Sequence, residues 1–267
     1  MAGLIRRLKA EWRTRRAIAE IEARNLAPRP HGLDVPLVVS LTSYPGRYGT
    51  LVRTLKGLTR QTVRPDRTIL WLAHGDADSL PAEARDLVEV RETADIRSYK
   101  KIIPALAAFP DAAIVTADDD VYYPPDWLER VLAGTAPVRA LRAHRVVLHD
   151  GRPAPYEDWE RNLRQPQRSG LVFPTGVLGV FYAPGVFHPD VLREDLFRDL
   201  APAADDVWLY WMHRLAGQQA EKVAGTLRVL EWPTSQRVSL RAGNLSGGND
   251  AAIAAMVARY GFPSSEE

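Results

Sequence analysis

Residues 111–132 read DAAIVTADDDVYYPPDWLERVL. An apolar run from Ala112 to Ala117 ends in three consecutive aspartates, Asp118, Asp119 and Asp120, and two aromatics and two prolines follow at once. Pro125 and Asp126 then stand where a helix would begin, so Asp126 is the expected cap of the segment WLERVL. A short apolar strand that stops at a loop and passes into a helix is the repeating unit of a parallel α/β sheet. In such sheets ligands bind beyond the carboxyl ends of the strands, which is where the triplet falls. Three adjacent carboxylates repel one another and raise each other's proton affinity unless a positive charge neutralises them. In extended chain Asp118 and Asp120 share one face and Asp119 takes the other. Two carboxylates so placed suit a hard, oxygen-loving cation such as Mg²⁺ or Mn²⁺. The bland alternative, an acidic turn, leaves three acids over once Asp126 caps the helix.

The same rhythm surrounds this stretch. PLVVSL from residue 36 is a short β-rich run, and TSYPGRYGT after it is a turn-rich loop. Leu51, Leu55 and Leu58 mark a helix from about Thr50 to Gln61. PDRTILWL and LVEVR supply further strands, so the expected fold class is α/β with a mixed, mainly parallel central sheet flanked by helices. At 267 residues with 46% apolar and 25% charged residues, the chain has the composition of a soluble globular protein. It has no cysteine, which excludes disulfides and thiolate metal sites. No apolar run reaches the roughly 18 residues of a membrane span, and the start lacks the apolar core of a secretory signal. A cytoplasmic location is the expectation.

The net charge of +2 hides an asymmetry. Residues 1–25 hold seven Lys/Arg against three Glu, so the remainder of the chain is slightly acidic. Residues 1–26 read as a basic amphipathic helical arm, with Leu4, Ile5, Leu8 and Trp12 at helical spacing and Ile18 and Ile21 continuing the stripe. Such a helix suits the inner face of an anionic membrane, or it packs on its own domain. The acidic body gives nucleic acid no continuing basic track. Residues 27–36 read as a linker, and 37–267 as one domain.

Three acidic motifs can be compared with the triplet. A calcium loop requires a glycine and a distal Glu that are missing here, and a phosphatase of the haloacid dehalogenase type requires Thr or Val where Tyr122 stands. The third is the Asp-x-Asp motif. Together, VVSLTSYPGR, LTRQTVRPDRTILWL, SYKKIIPALAAFPDAAIVTADDDVYYPPDWLERV and PAADDVWLYWM resemble a bacterial glycosyltransferase family of GT-A type, over roughly residues 36–260. Its members usually serve surface polysaccharide or lipopolysaccharide assembly. The resemblance implies a Rossmann-like GT-A fold, a nucleotide-sugar donor, Mn²⁺ or Mg²⁺, and a glycan or lipid-linked glycan acceptor. It implies that Thr42, Ser43 and Arg47 border the nucleotide, that Asp118 and Asp120 bind ribose and metal, and that Asp119 faces the donor sugar.

Other positions complete the expected site. Lys100 and Lys101 oppose the dipole of any helix starting beside Pro104, so a diphosphate is a natural partner for at least one of them. In the arginine-rich residues 139–168, Arg142, His144 and Trp159 are singled out for the acceptor side. Gly176 and Gly179 punctuate an apolar strand and could admit a sugar closely, although a core strand with bulges explains them too. Trp208, Trp211, Met212 and Leu215 form the buried face of a helix whose start carries Asp205 and Asp206. A cap needs one carboxylate. In inverting GT-A enzymes an acid at this helix start is the general base, which gives Asp206 that role and leaves Asp205 to orient the acceptor or cap the helix. SLRAGNLSGGND, residues 239–250, has the composition of a lid, and Asn244, Asn249 or Asp250 could complete a metal site. Two readings from other classes stay open: a metal-dependent phosphotransferase or nucleotidyltransferase, and a non-catalytic nucleotide- or polysaccharide-binding module.

Overall fold

The structure, a computed structural model, describes residues 2–233 and 248–263, and only the backbone of residues 2–7. Its centre is an eight-stranded sheet built from β1 (Leu37–Thr42), β2 (Arg67–Ala73), β3 (Glu89–Thr93), β4 (Ala113–Ala117), β5 (Val138–Ala140), β6 (Gln167–Ser169), β7 (Val180–Tyr182) and β8 (Ala220–Lys222). The spatial order is β6-β8-β5-β7-β4-β1-β2-β3. β4, β1, β2 and β3 run parallel to one another, as do β8 and β5, while β7 lies antiparallel between β4 and β5 and β6 antiparallel beside β8. The expected mixed, mainly parallel sheet is therefore present. β1 and β4 are buried along almost their whole length, as their unbroken Val, Ile, Leu and Ala runs require of strands covered on both faces.

Helices α1 (Ala2–Ala23), α2 (Tyr48–Thr59), α3 (Ala82–Leu87), α4 (Ile103–Ala108), α5 (Trp127–Leu132), α6 (Glu194–Leu200), α7 (Asp205–Leu215) and α8 (Asn249–Tyr260) flank the sheet. One face carries a core of Leu51, Leu55, Leu58, Trp127 and Leu128 against β1 and β4. The other buries Trp208, Trp211 and Met212 of α7, as the i, i+3, i+4 spacing predicted. Among the described residues, no helix is long and apolar enough to cross a membrane.

The arm is half docked. Ala17 and Ile21 of α1 pack on Trp232, with Tyr122 and Leu230 at the margin. Arg24, just past the helix, pairs with Glu20 and donates to the carbonyls of Gly57, Arg60 and Tyr123 at 3.0, 3.1 and 2.7 Å. Leu8 and Trp12 stay 55% and 59% exposed. The proline-rich linker is also laid down on the domain: Arg29–Pro30 pairs in parallel with Val63–Arg64.

The topology makes the crevice. The chain runs from β1 outward to β2 and β3 and then returns to the other side of β1 as β4, and loops from neighbouring strands diverge at such a reversal. Leu41 stands opposite Ala117, so the loop after β1 and the aspartate triplet leave the sheet side by side. Because β7 is antiparallel to β4, the loop entering β7 reaches this same edge and brings Gly176 to it.

Candidate active site

A cleft of about 930 Å³ opens at this edge. Most of the residues singled out from the sequence line it, from Thr42, Ser43 and Arg47 through Lys100, Lys101 and the triplet to Arg142, His144, Gly176, Asp205 and Asp206. Two do not. Trp159 is 3% exposed, donates its indole N–H to the Ala154 carbonyl and packs tilted at 55° against the Tyr156 ring, so it supports that ring from within the core rather than lining the cleft. Gly179 sits in a tight turn whose N–H returns to the Gly176 carbonyl at 2.8 Å. Its φ is +83°, and a Cβ there would fall 2.4 Å from the Thr116 carbonyl oxygen. That glycine is required by backbone shape.

The triplet is arranged differently from simple alternation. β4 ends at Ala117 and the chain bends over Asp119 and Asp120, so these two converge while Asp118 turns away. Arg47 contacts Asp119 at 3.0 Å and also Asp120, and Ser43 donates to Asp119 at 2.6 Å. Asp118 faces Lys101 at 3.3 Å. Protein cations thus neutralise all three carboxylates. Burial still pushes Asp119 up to about 6, against the pull of Arg47 and Ser43. Burial also raises Asp118, opposed by Lys101 and reinforced by Asp120 and Asp205. Burial works against the charge of Arg47, yet Asp119 and Asp120 hold it more firmly protonated than usual.

Whether the triplet suits a hard divalent cation can be judged from its donors. They are closely spaced carboxylate oxygens, and burial raises the proton affinity of Asp118 and Asp119, a state that a cation relieves, which fits. Among the described residues no group of three or more His, Asp or Glu converges as a ready ligand set, so substrate oxygens and water would have to complete the coordination. Asn244 lies outside the described residues, as does the expected lid apart from residues 248–250. Asn249 lines the cleft, whereas Asp250 is engaged with the Tyr156 N–H at 2.7 Å.

The lysines divide. Lys100 turns to Asp95, while Lys101 lies on the cleft floor between Asp118 and Asp205, 3.1 Å from the latter. Burial alone would lower Lys101, but Asp205, Asp118 and Asp206 raise it well above the usual lysine range. Asp205 and Asp206 form the first turn of α7, and neither caps it, since Ala204 holds the cap position without a side-chain bond. Asp126 likewise makes no cap bond to α5 and pairs instead with Arg130. Asp205 takes the Ser98 hydroxyl at 2.9 Å. Asp206 accepts the Gly176 N–H on both oxygens at 3.0 Å, and burial together with Asp205 pushes it up to about 7. A Cβ on Gly176 would lie 2.9 Å from Lys101 Nζ and 3.0 Å from Asp206 Oδ1, which explains a glycine at that point.

Several lining residues carried no local signal in the sequence. Glu231 arrives because residues 230–232 pair with the triplet's loop, with Trp232 N–H donating to Asp120 O and Tyr122 N–H to Leu230 O, each at 2.9 Å. Tyr156 and Arg161 come from the irregular segment after β5, with the Arg161 guanidinium 5.7 Å from the Tyr156 ring centre. Arg142 donates to the Thr175 hydroxyl at 2.8 Å. His144 is lowered to about 4 by burial and by the nearby charges of Arg142 and Arg161, and stays neutral.

No protein-family model matches the chain, and no curated protein matches it in sequence. Solved structures do resemble it. The inositol-1-phosphate CTP transferase from T. maritima is 14% identical with a TM-score of 0.45, the match covering 83% of this chain and 96% of that one. The mannosyltransferase PcManGT from Pyrobaculum calidifontis, in complex with GDP-Man and Mn²⁺, is 19% identical at a TM-score of 0.34, with 50% of this chain and 42% of that one covered. The glucosyl-3-phosphoglycerate synthase from Mycobacterium tuberculosis, in complex with Mn²⁺, UDP and glucosyl-3-phosphoglycerate, is 15% identical with a TM-score of 0.47, covering 93% of this chain and 85% of that one.

Proposed function

We propose that the protein is a metal-dependent glycosyltransferase of GT-A type that moves a sugar from a nucleotide-sugar donor to a glycan or lipid-linked glycan, with inversion at the anomeric carbon. The observation that carries this reading is the meeting of two acidic groups at one crevice. Asp118–Asp120 at the end of β4 and Asp205–Asp206 at the start of α7 are joined through the buried ammonium of Lys101. Asp118 and Asp120 are the residues that would hold Mn²⁺ or Mg²⁺, once Asp118 turns from Lys101 and Asp120 from Arg47. When bound, such an ion neutralises charge on a diphosphate. Ser43, Thr42 and Arg47 border the nucleotide, and Lys101 faces the leaving diphosphate.

The reaction asks one proton transfer of the protein. The acceptor hydroxyl oxygen forms a bond to the anomeric carbon, the bond from that carbon to the diphosphate oxygen breaks, and the hydroxyl proton passes to Asp206. A carboxylate tuned near neutrality suits that task. Its two bonds from Gly176 N–H fix the carboxylate plane. The role in surface polysaccharide assembly at the inner face of the membrane draws support from the arm, where exposed Leu8 and Trp12 lie among Lys9, Arg13, Arg15 and Arg16.

The test is nucleotide release from UDP-, GDP-, dTDP- and CMP-sugars, with Mn²⁺ and with chelator. Release from one donor, lost with chelator and in Asp120→Ala, supports the reading. Transfer of nucleotide or phosphate onto the acceptor replaces it with a nucleotidyl- or phosphotransferase. No metal-dependent nucleotide binding at all leaves a binding module.

A further inference from the structure

The loop that carries the triplet is held at its backbone by groups that lead back to the N-terminal arm. Beyond β4 this loop has one bridge partner among the described residues, Val121 to Glu231, so the sheet alone does not fix it. The Thr54 hydroxyl of α2 meets the carbonyls of Asp119 and Val121 at 2.9 and 3.3 Å and takes the indole N–H of Trp232 at 2.8 Å. The Trp232 backbone N–H donates to the Asp120 carbonyl at 2.9 Å. The Arg24 guanidinium donates to the Tyr123 carbonyl at 2.7 Å, and the Tyr123 hydroxyl takes the Asp118 N–H at 2.7 Å. Arg24 is itself clamped by Glu20, Nε to Oε1 and Nη2 to Oε2, each at 2.7 Å. Glu20 Oε2 also accepts the Tyr122 hydroxyl at 2.9 Å, and the Tyr122 ring meets Trp232 edge-on at 6.3 Å. Ala17 and Ile21 close over Trp232, which is 1% exposed.

Arg24 thus spans three elements. Its remaining bonds go to the carbonyls of Gly57 and Arg60 at the end of α2. A charged fork held by a carboxylate and buried to 3% exposure makes stronger bonds than a neutral donor and has few other arrangements. The arm's other acid differs, because Glu22 is half exposed and its partners, Lys56 and Arg60, lie outside the loop.

We infer that Arg24, oriented by Glu20, is a positioning residue for the loop that binds metal and nucleotide. The inner half of α1 therefore belongs to the site, although none of its described residues lines the cleft. The inference rests on the transferase reading for what the loop binds. Arg24 acts through the Tyr123 carbonyl and Glu20 through Tyr122, and together they set the backbone from which Asp119 and Asp120 converge. Groups of this kind, one layer behind the ligands, fix the orientation on which metal affinity depends.

The full-length protein is titrated with UDP and with GDP in Mn²⁺ by calorimetry. Amide exchange at Tyr122 and Trp232, whose N–H groups bond to Leu230 and Asp120, is followed by NMR. Arg24→Gln is expected to weaken nucleotide binding about ten-fold or more and to speed exchange at both amides by a similar factor, with exchange in β4 and α7 kept within about two-fold. Glu22→Gln, which removes an ion pair between arm and body outside the loop, is expected to move neither readout. Tyr122→Phe, which deletes the hydroxyl bonded to Glu20 and keeps the ring, should shift both readouts in the same direction by a smaller factor, and it decides the matter if Arg24→Gln folds poorly. Exchange that rises equally through β4 and α7 makes Arg24 a general stabiliser and overturns the inference. So does faster exchange at Tyr122 and Trp232 with unchanged nucleotide affinity, and so do equal effects of Arg24→Gln and Glu22→Gln. A wild type that binds neither nucleotide counts against the transferase reading, while local exchange in Arg24→Gln still decides whether the arm positions the loop.

Discussion

Lys101 Nζ lies 3.1 Å from Asp205 Oδ2, and through this contact the ammonium that faces Asp118 also anchors the helix carrying Asp206. One buried positive charge therefore links the two acidic groups of the cleft.

Replacing Lys101 by Met leaves Asp118 and Asp205 facing each other without a counter-ion. Removing one partner of a buried ion pair costs about 3 kcal/mol or more. The expected outcome of urea denaturation is a loss of that size at pH 7 that shrinks toward pH 5, as the abandoned carboxylates take up protons. A loss independent of pH would mean that the lysine acts through packing alone.

Asp206→Asn keeps the shape of the side chain but not its basicity. Turnover is expected to fall by about 10²–10⁴-fold, with nucleotide affinity retained. In the wild type, kcat/KM should rise as pH rises through about 7, because Asp206 must lose its proton before it can accept one. A flat profile from pH 5 to 9 would place the base elsewhere.

The two glycines separate folding from catalysis. Gly179→Ala forces a Cβ onto the Thr116 carbonyl at a positive φ, so a stability loss of about 2 kcal/mol or more is expected, with near-normal KM in the folded fraction. Gly176→Ala instead pushes on Lys101 Nζ and Asp206 Oδ1, and kcat should drop about ten-fold or more with a smaller change in stability. Thermal melts and steady-state kinetics on the same preparations check both.

Asp119 couples stability to pH. Its folded value, about 6, lies above the ordinary 3.8, so between these limits the native protein binds a proton that the unfolded chain releases. Its contribution to stability is present below about pH 4 and is lost as pH rises through 6. The difference in melting temperature between wild type and Asp119→Asn, followed from pH 4 to 7, should move against the wild type as pH increases.

On the arm, Leu8→Ala and Trp12→Ala should leave the melting temperature unchanged, since both side chains are exposed, but reduce co-sedimentation with vesicles containing anionic lipid. Ile21→Ala, at a 2% exposed site, is expected to cost about 2–4 kcal/mol.

Most of the parallel half of this fold was legible because β1, β2 and β4 carry unbroken apolar runs stopped by turn residues, whereas β3 is a polar edge strand. PLVVSL became Leu37–Thr42, and the helix expected from Thr50 to Gln61 occupies Tyr48–Thr59. β5 to β8 are three residues each, too short for a period to register, and their pairing joins segments far apart in sequence. The end of the cleft around the triplet was legible for a related reason, since Ser43, Arg47 and Asp118–Asp120 lie in loops directly after readable strands. Tyr156, Arg161 and Glu231 reach it only through tertiary contacts. Trp159 shows the limit from the other side: an aromatic among arginines reads as a ligand contact until its burial is seen. NDAAIAAMVARY had the alanine content of a helix, and the glycines before it obscured that.

Arg24 shows that the seam in composition and the seam in structure do not coincide. Charge and proline content divide the chain near residue 26, yet the Arg24 side chain is 3% exposed and holds three backbone carbonyls of the body. A cut at the linker would strip those carbonyls of their donor and uncover Trp232, whose N–H is bonded to Asp120. A protease should therefore nibble back the helix through exposed Leu8 and Trp12 and stall before Ala17, and a shortened gene for the body has to begin inside α1.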